Sequence, residues 1–170
     1  MVLDTSLIDV FLKPGDWFVA GADHQIRTFL GSCVSITLWH PVLRIGGMSH
    51  FVLPTRGAAV YGQALDGHYG DEALQLMFNK LQQSGASLSL CQGKIVGGGN
   101  MFPDQMRHAD INIGQRNGEA ARLLLRQNGI PIVSECLFGI GHRQVIFDVS
   151  TGDVWSHQIK PIVQAIRAKE

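Results

Sequence analysis

The tripeptide Gly31-Ser32-Cys33 separates two apolar runs that have the pattern of neighbouring β-strands. The runs, 26–30 and 34–39, are rich in β-branched and aromatic residues, which favours strands. A glycine inside a strand pattern marks a kink or a close approach of another part of the backbone. The small side chain of Ser32 leaves access to the next residue open. The sequence therefore predicts a β-rich fold with a sharp corner that presents Cys33.

Further strand-like runs and two amphipathic helices complete the predicted fold. The helices are indicated by apolar residues three and four positions apart, one with Asp71 as its N-cap and one over 114–128. Residues 1–12 also have apolar residues at helical spacing, and 105–112 are predicted to form a loop. The other predicted strands are 17–20, 44–53, 88–96, 132–138, 143–149 and 154–159. Many strands, with two or three helices and no regular alternation, favour an α+β domain.

Composition and charge exclude several classes of protein. The chain has 170 residues, of which 45% are apolar and 16% charged, so it can bury one sizeable core. The 14 basic and 14 acidic residues balance, and no basic block stands out, so we expect no binding to nucleic acid. No apolar run approaches the roughly 20 residues of a membrane span, and the start does not have the pattern of a signal peptide. These features predict a cytoplasmic protein without membrane insertion.

The cysteines and histidines predict neither a disulfide framework nor a metal site. Cys33, Cys91 and Cys136 are widely spaced and form no CxxC pair, which fits a reducing compartment. We expect Cys91 and Cys136 to be buried as small hydrophobic residues, because neither follows a Gly-Ser approach. The seven histidines show no HxxxH or HExxH spacing, and the glycines at 97–99 are not followed by the rest of a phosphate-binding motif. The sequence therefore predicts no metal and no organic cofactor.

Cys33 and His50 are the candidate nucleophile and base. His50 lies 17 positions after Cys33, in another apolar run that contains small residues. An imidazole near the thiol would lower the thiol pKa and later protonate a leaving amine, while a backbone amide at the corner would bind the oxyanion. A third group must hold the imidazole in one tautomer, and Thr28 offers a hydroxyl and a carbonyl. Taken singly, Cys33 and His50 also fit ordinary core positions, and spacing alone leaves both interpretations open.

A series of motifs in a fixed order gives the chain a family resemblance. The most specific are Leu-Gly-Ser-Cys-Val at 30–34 and His-Phe-Val-Leu-Pro at 50–54. Weaker motifs follow at 69–71, 97–101, 113–117 and 139–143, the first three of them Tyr-Gly-Asp, Gly-Gly-Gly-Asn-Met and Ile-Gly-Gln-Arg-Asn. In this order they resemble CheD, the chemoreceptor glutamine deamidase family of bacterial chemotaxis.

The resemblance implies both a fold and an activity. The fold is a layered α/β/β sandwich of mixed sheets, similar to the catalytic domain of the cytotoxic necrotizing factor toxins. The activity is that of a protein-glutamine glutaminase, which converts selected glutamines of methyl-accepting chemotaxis receptors to glutamates through a cysteine thioester. Cys33 corresponds to the nucleophile, His50 to the base and Thr28 to the third residue. Residues 1–13 are expected to be an N-terminal extension of a single domain over 14–170.

The resemblance implies further binding and catalytic properties, and two other functions stay open. Members of the family bind the phosphatase CheC, and some are expected to cleave glutamate methyl esters as well. The alternative function is a chemotaxis adaptor that docks receptors or CheC with little catalysis. A cysteine peptidase is a third possibility, but cleavage of a peptide bond usually requires an extended cleft for the main chain. Deamidation of purified receptor domains distinguishes the enzyme from the adaptor.

Overall fold

In the computed structural model, which describes residues 6–57, 62–103 and 112–160, nine strands form two mixed sheets. The strands are β1 (Ile8–Phe11), β2 (Trp17–Ala20), β3 (His24–Leu30), β4 (Val34–His40), β5 (Ile45–Ser49), β6 (Gln92–Gly97), β7 (Ile132–Leu137), β8 (His142–Asp148) and β9 (Val154–Ile159). The helices are α1 (Gly70–Gln83) and α2 (Ile113–Gln127), and a short 3-10 helix covers Leu88–Leu90. The α+β prediction is confirmed.

The two sheets have different orders and are stacked in layers. One sheet has four strands in the order β1-β3-β8-β9, and the other has five in the order β2-β5-β4-β6-β7. Only β1 with β3 and β6 with β7 pair in parallel among the described strands. Both helices pack on the five-stranded sheet, α1 against β5 and α2 against β6. The result is a helical layer, a central five-stranded sheet and an outer four-stranded sheet.

Strand β4 shows how the sequence supplies two cores. Successive side chains of a strand point to opposite faces of its sheet. Val34, Ile36 and Leu38 therefore lie in the core under the helices, while Ser35 and Thr37 turn towards the other sheet and are also buried. The second core, between the sheets, contains Ile26, Leu30, Met48, Val96, Val145 and Phe147 among its buried residues. Because both faces of β4 are covered, almost the whole strand is apolar or small.

The glycine pair in β5 allows close packing on both faces of that strand. A Cβ at Gly46 would lie 2.7 Å from the carbonyl oxygen of Leu38 and 2.8 Å from the ring of Phe147. A Cβ at Gly47 would lie 2.8 Å from the side chain of Val19. Larger residues at these two positions would push β5 away from its neighbours, and His50 follows β5 directly.

Three predictions of local structure are wrong. Residues 8–11 form strand β1, because parallel pairing with β3 outweighs a helical spacing in a short segment. The strand predicted over 44–53 ends at Ser49, and beyond it only isolated bridges remain among the described residues of that segment. The strand predicted over 88–96 begins at Gln92, after the 3-10 helix.

The start of α1 also differs from the prediction. Its N-cap is Tyr69, which makes no side-chain capping bond, and Asp71 lies in the first turn. A carboxylate there still interacts favourably with the helix dipole. Of the predicted loop over 105–112, all but Asn112 lies outside the described residues. Within the described ranges, no helix is long and apolar enough to span a membrane. The boundary at residue 13 stays a prediction.

Candidate active site

The corner at Gly31-Ser32-Cys33 is where the chain passes from one sheet to the other. Strand β3, before the corner, belongs to the four-stranded sheet, and β4, after it, belongs to the five-stranded sheet. The corner therefore lies at the end of the space between the two sheets. The Cys33 side chain is half-buried and packs against the core that fills this space.

His50 reaches the same space from β5. An antiparallel bridge joins Val34 and Phe51, with N–H···O bonds of 3.2 and 3.0 Å in the two directions. In that register Cys33 lies opposite Val52, and His50 is its diagonal neighbour on the same face. Diagonal neighbours in a sheet are about 7–8 Å apart at Cα, within reach of long and aromatic side chains. The fold thus directs the thiol and the imidazole into one space.

Thr28 approaches His50 from the opposite sheet. The Thr28 hydroxyl lies 2.7 Å from Nδ1 of His50 and donates a hydrogen bond to the carbonyl oxygen of Leu12 at 2.8 Å. A hydroxyl has one proton, so the oxygen that donates to Leu12 accepts from His50. Nδ1 therefore carries the proton, and Nε2 of the neutral ring keeps its lone pair. That tautomer is the one a base needs.

Burial keeps His50 neutral. The residue is 3% exposed, and this burial lowers the pKa of its imidazole to about 4. The Asp16 carboxylate and the Leu12 carbonyl act in the opposite direction, and an electrostatic effect of His68 adds to the lowering. The loss of hydration is the largest effect, so the ring is uncharged at neutral pH.

Burial also keeps the thiol neutral. It raises the pKa of Cys33, although the residue's own backbone amide partly offsets this. A nearby imidazole was expected to lower this pKa, but the shift is upward and the loss of hydration is its largest cause. Among the described residues, Cys33 makes no hydrogen bond with His50. The resting pair is therefore a thiol and a neutral imidazole, and their catalytic pairing stays a prediction.

The corner is also held by a residue that sequence reasoning did not single out. The side-chain amide of Asn117, on α2, donates to the carbonyl oxygens of Ser32 at 3.1 Å and Val52 at 2.8 Å. It therefore ties the turn before Cys33 to the segment that follows His50. The only sequence signal was the position of Asn117 at the end of the motif over 113–117.

The other two cysteines differ from each other. Cys91 is 1% exposed, as expected. The expectation that Cys136 is buried is wrong, because it is exposed on β7. Among the described strands, β7 forms an edge of the five-stranded sheet and pairs with β6 alone. The sulfur of Cys136 lies 3.4 Å from a guanidinium nitrogen of Arg143. Within the described ranges, no three His, Cys, Asp or Glu residues are grouped so that they could hold a metal ion.

The chain is similar to a family model and to several curated proteins. The model described as CheD chemotactic sensory transduction matches residues 52–158. The probable chemoreceptor glutamine deamidase CheD 2 of Albidiferax ferrireducens is 66% identical over 155 residues, which cover 91% of this chain and 90% of that protein. The probable chemoreceptor glutamine deamidase CheD 1 of Chromobacterium violaceum is 42% identical, over 88% of this chain and 77% of that protein.

Two solved structures have a distant likeness to the chain. YlmD from Geobacillus stearothermophilus aligns with a TM-score of 0.43 at 14% identity, covering 78% of this chain and 59% of that one. The hypothetical protein YfiH of Bacillus licheniformis aligns with a TM-score of 0.44 at 14% identity, covering 71% of this chain and 49% of that one.

Proposed function

The chain belongs to the CheD family, and from this membership we propose that it is a chemoreceptor glutamine deamidase that uses Cys33 as nucleophile and His50 as base. Its substrates are glutamine side chains of methyl-accepting chemotaxis receptors, which it converts to glutamates. The observation that carries the assignment of the base is the hydrogen-bond chain from His50 through Thr28 to Leu12, because it leaves Nε2 free to take a proton.

In the first half of the reaction the cysteine is acylated. The Cys33 sulfur forms a bond with the side-chain amide carbon of the glutamine, and Nε2 of His50 takes the thiol proton. The imidazolium then gives this proton to the amide nitrogen. The carbon–nitrogen bond breaks, ammonia leaves and a thioester remains on Cys33.

In the second half, water releases the product. Nε2 of His50 takes a proton from the water, whose oxygen forms a bond with the thioester carbon. The carbon–sulfur bond breaks and the proton passes to the sulfur, so the thiol is restored and the receptor carries a glutamate. Throughout, Nδ1 of His50 keeps its proton on the hydrogen bond to Thr28.

The neutral resting state of Cys33 and His50 determines when the thiol proton moves. Both the raised pKa of Cys33 and the lowered pKa of His50 oppose formation of a thiolate–imidazolium pair. The proton therefore moves as the sulfur attacks, and not before. A thiol in this state reacts slowly with unrelated electrophiles, which suits an enzyme that must select particular receptor glutamines.

Further expectations accompany the family assignment. The fold is proposed to be an α/β/β sandwich of the cytotoxic necrotizing factor type, formed by a single domain over 14–170, and the helical layer over two sheets supports the layered part of this proposal. The protein is proposed to act in the cytoplasm, without a metal or an organic cofactor, and to bind the phosphatase CheC. Cleavage of glutamate methyl esters is a second reaction that the same nucleophile and base are able to perform.

The test is deamidation of purified receptor cytoplasmic domains. Ammonia release is measured together with the gain in intact mass when an amide becomes an acid, for the wild type and for Cys33→Ala. The wild type should be active and Cys33→Ala inactive, with receptor binding retained. Cys136→Ala, the same substitution at an exposed cysteine, is the matched control and should keep activity. Equal activity of wild type and Cys33→Ala would refute the mechanism, and receptor binding by an inactive wild type would favour the adaptor.

A further inference from the structure

All three carbonyl groups of the corner accept a hydrogen bond. The Gly31 oxygen accepts from the amide of Gly99 at 2.9 Å, and the Cys33 oxygen accepts from the amide of Gly98 at 2.9 Å. Between them, the Ser32 oxygen accepts from the side chain of Asn117 at 3.1 Å. Two of the three donors belong to the backbone of one glycine turn. The middle carbonyl alone is held by a side chain.

The amides of the same corner are left available. Among the residues that the structure describes, no other residue accepts a hydrogen bond from the N–H of Ser32 or of Cys33. The Cys33 amide also lies close enough to its own sulfur to lower the pKa of the thiol, against the larger effect of burial. A donor beside the sulfur is near the place where the oxygen of a tetrahedral intermediate forms. Backbone amides so placed are the usual donors of an oxyanion hole.

We infer that Asn117 is a positioning residue that sets the direction of the Cys33 amide and so completes the oxyanion hole. The Ser32 carbonyl and the Cys33 N–H belong to one planar trans peptide group and point in opposite directions. A hydrogen bond that fixes the carbonyl therefore fixes the N–H. This group is rotated through ψ of Ser32 and φ of Cys33, and neither residue lies in a helix or strand that would hold these angles. Donation to the carbonyl also polarises the group and strengthens its N–H as a donor.

The surroundings of Asn117 support a role beyond packing. Its side chain is fully buried, and while its amide group makes two hydrogen bonds, its Oδ1 has no partner among the described residues. An unpaired buried acceptor costs about 1–3 kcal/mol, which an apolar residue of similar size would avoid. The α2 backbone also lies directly on the glycine turn, since a Cβ at Gly114 would come within 2.5 Å of the Gly98 oxygen. This close packing brings Asn117 to the corner.

The inference rests on the proposed deamidation and is tested with two reactions of the same sulfur. Deamidation of a receptor domain forms an oxyanion, whereas alkylation of Cys33 by iodoacetamide is a substitution that forms none. In Asn117→Ala, kcat for deamidation should fall by roughly 10²–10³-fold, as when an oxyanion-hole donor is lost, with little change in KM. The rate of Cys33 alkylation, followed by peptide mass spectrometry, should stay within about twofold of the wild type.

Controls separate positioning from general loss of structure. Leu125→Ala removes a fully buried side chain of α2 that packs beside Gly93 of β6, and it should lower stability by about 2–5 kcal/mol while activity is retained well below its melting temperature. If Asn117→Ala does not fold, Asn117→Ser is used, since its hydroxyl reaches about one bond less far towards the Ser32 carbonyl. Asn117→Ser is then expected to show the same fall in kcat for deamidation and the same nearly unchanged rate of Cys33 alkylation.

The outcomes are distinct. Unchanged kcat in the Asn117 variant, or an equal fall in deamidation and alkylation, would overturn the positioning role. A wild type that does not deamidate receptors, yet whose Cys33 is alkylated normally, would overturn the proposed function.

Discussion

Acidification should destabilise the fold through His50. This imidazole is neutral and almost fully buried in the folded protein, with a pKa of about 4, and in the unfolded chain it returns to its ordinary value of 6.5. The unfolded state then binds more protons at every pH below 6.5. Stability is complete above that pH and decreases as the pH falls towards 4.

The size of the effect follows from the two pKa values. The difference of about 2.5 units corresponds to about 3 kcal/mol in the free energy of unfolding. Between about pH 7 and pH 5, some 2 kcal/mol of this should be lost, and nearly all of it by about pH 4. This is a large share of the total stability of a domain, which is usually about 5–15 kcal/mol.

The measurement is urea unfolding of wild type and His50→Gln between about pH 7 and pH 4. Glutamine does not titrate, so the wild type should lose about 3 kcal/mol more than the variant over this range. Carboxylates paired with arginine, such as Glu72 and Glu135, also lose stabilisation in acid, but they do so equally in both proteins. His157→Gln, which removes an exposed histidine, is the matched control and should follow the wild type.

Parallel curves for wild type and His50→Gln would refute this reasoning. They would mean that the imidazole is hydrated in the folded protein. In that case burial would not keep His50 neutral. A direct titration of the His50 ring by NMR provides an independent value, and a midpoint near 6.5 would refute the buried neutral base in the same way.

Further predictions concern the thiol, the third residue, the pH dependence and the other cysteines. Cys33→Ser should be nearly inactive in the ammonia assay, since a hydroxyl is far less acidic than a thiol, and substantial activity would contradict a sulfur nucleophile. Thr28→Val should lower kcat by roughly 10- to 1000-fold while Thr28→Ser retains most of it, and a fully active valine variant would remove Thr28 from the site. The profile of kcat/KM should stay level on mild acidification and fall only near the His50 pKa of about 4, so a decline centred near 6.5 would argue against that base. In the folded protein, iodoacetamide should alkylate the exposed Cys136 before the buried Cys91, which peptide mapping measures, and the reverse order would contradict the fold at β7.

Local patterns in the sequence were sufficient for much of the fold. Runs of β-branched and aromatic residues located most strands, among them β2 and β9 with their full ranges, because these segments carry enough apolar side chains to require burial. The spacing of apolar residues predicted the wrong secondary structure in a short segment. Residues 8–11 have apolar residues at helical spacing, but four residues cannot stabilise a helix, and pairing with β3 decides their structure.

The candidate residues of the site could be chosen from local sequence alone. It identified Cys33 beyond a glycine corner and His50 in an apolar segment, because an unusual small-residue interruption and a polar residue in an apolar run are visible locally. It also placed Thr28 among the candidates. What it left open was whether these three residues meet, since strand register and sheet order depend on pairings between distant segments.

The arrangement and the charge of these groups depend on contacts between segments that are distant in the chain. The bridge between Val34 and Phe51 sets the thiol and the imidazole on one face, and stacking of the two sheets brings Thr28 to Nδ1 of His50. Packing of α2 on the corner adds Asn117, 85 positions from Ser32 in the sequence. The protonation states follow from the same packing, because a pKa depends on hydration and neighbouring charge, and both are properties of the folded environment.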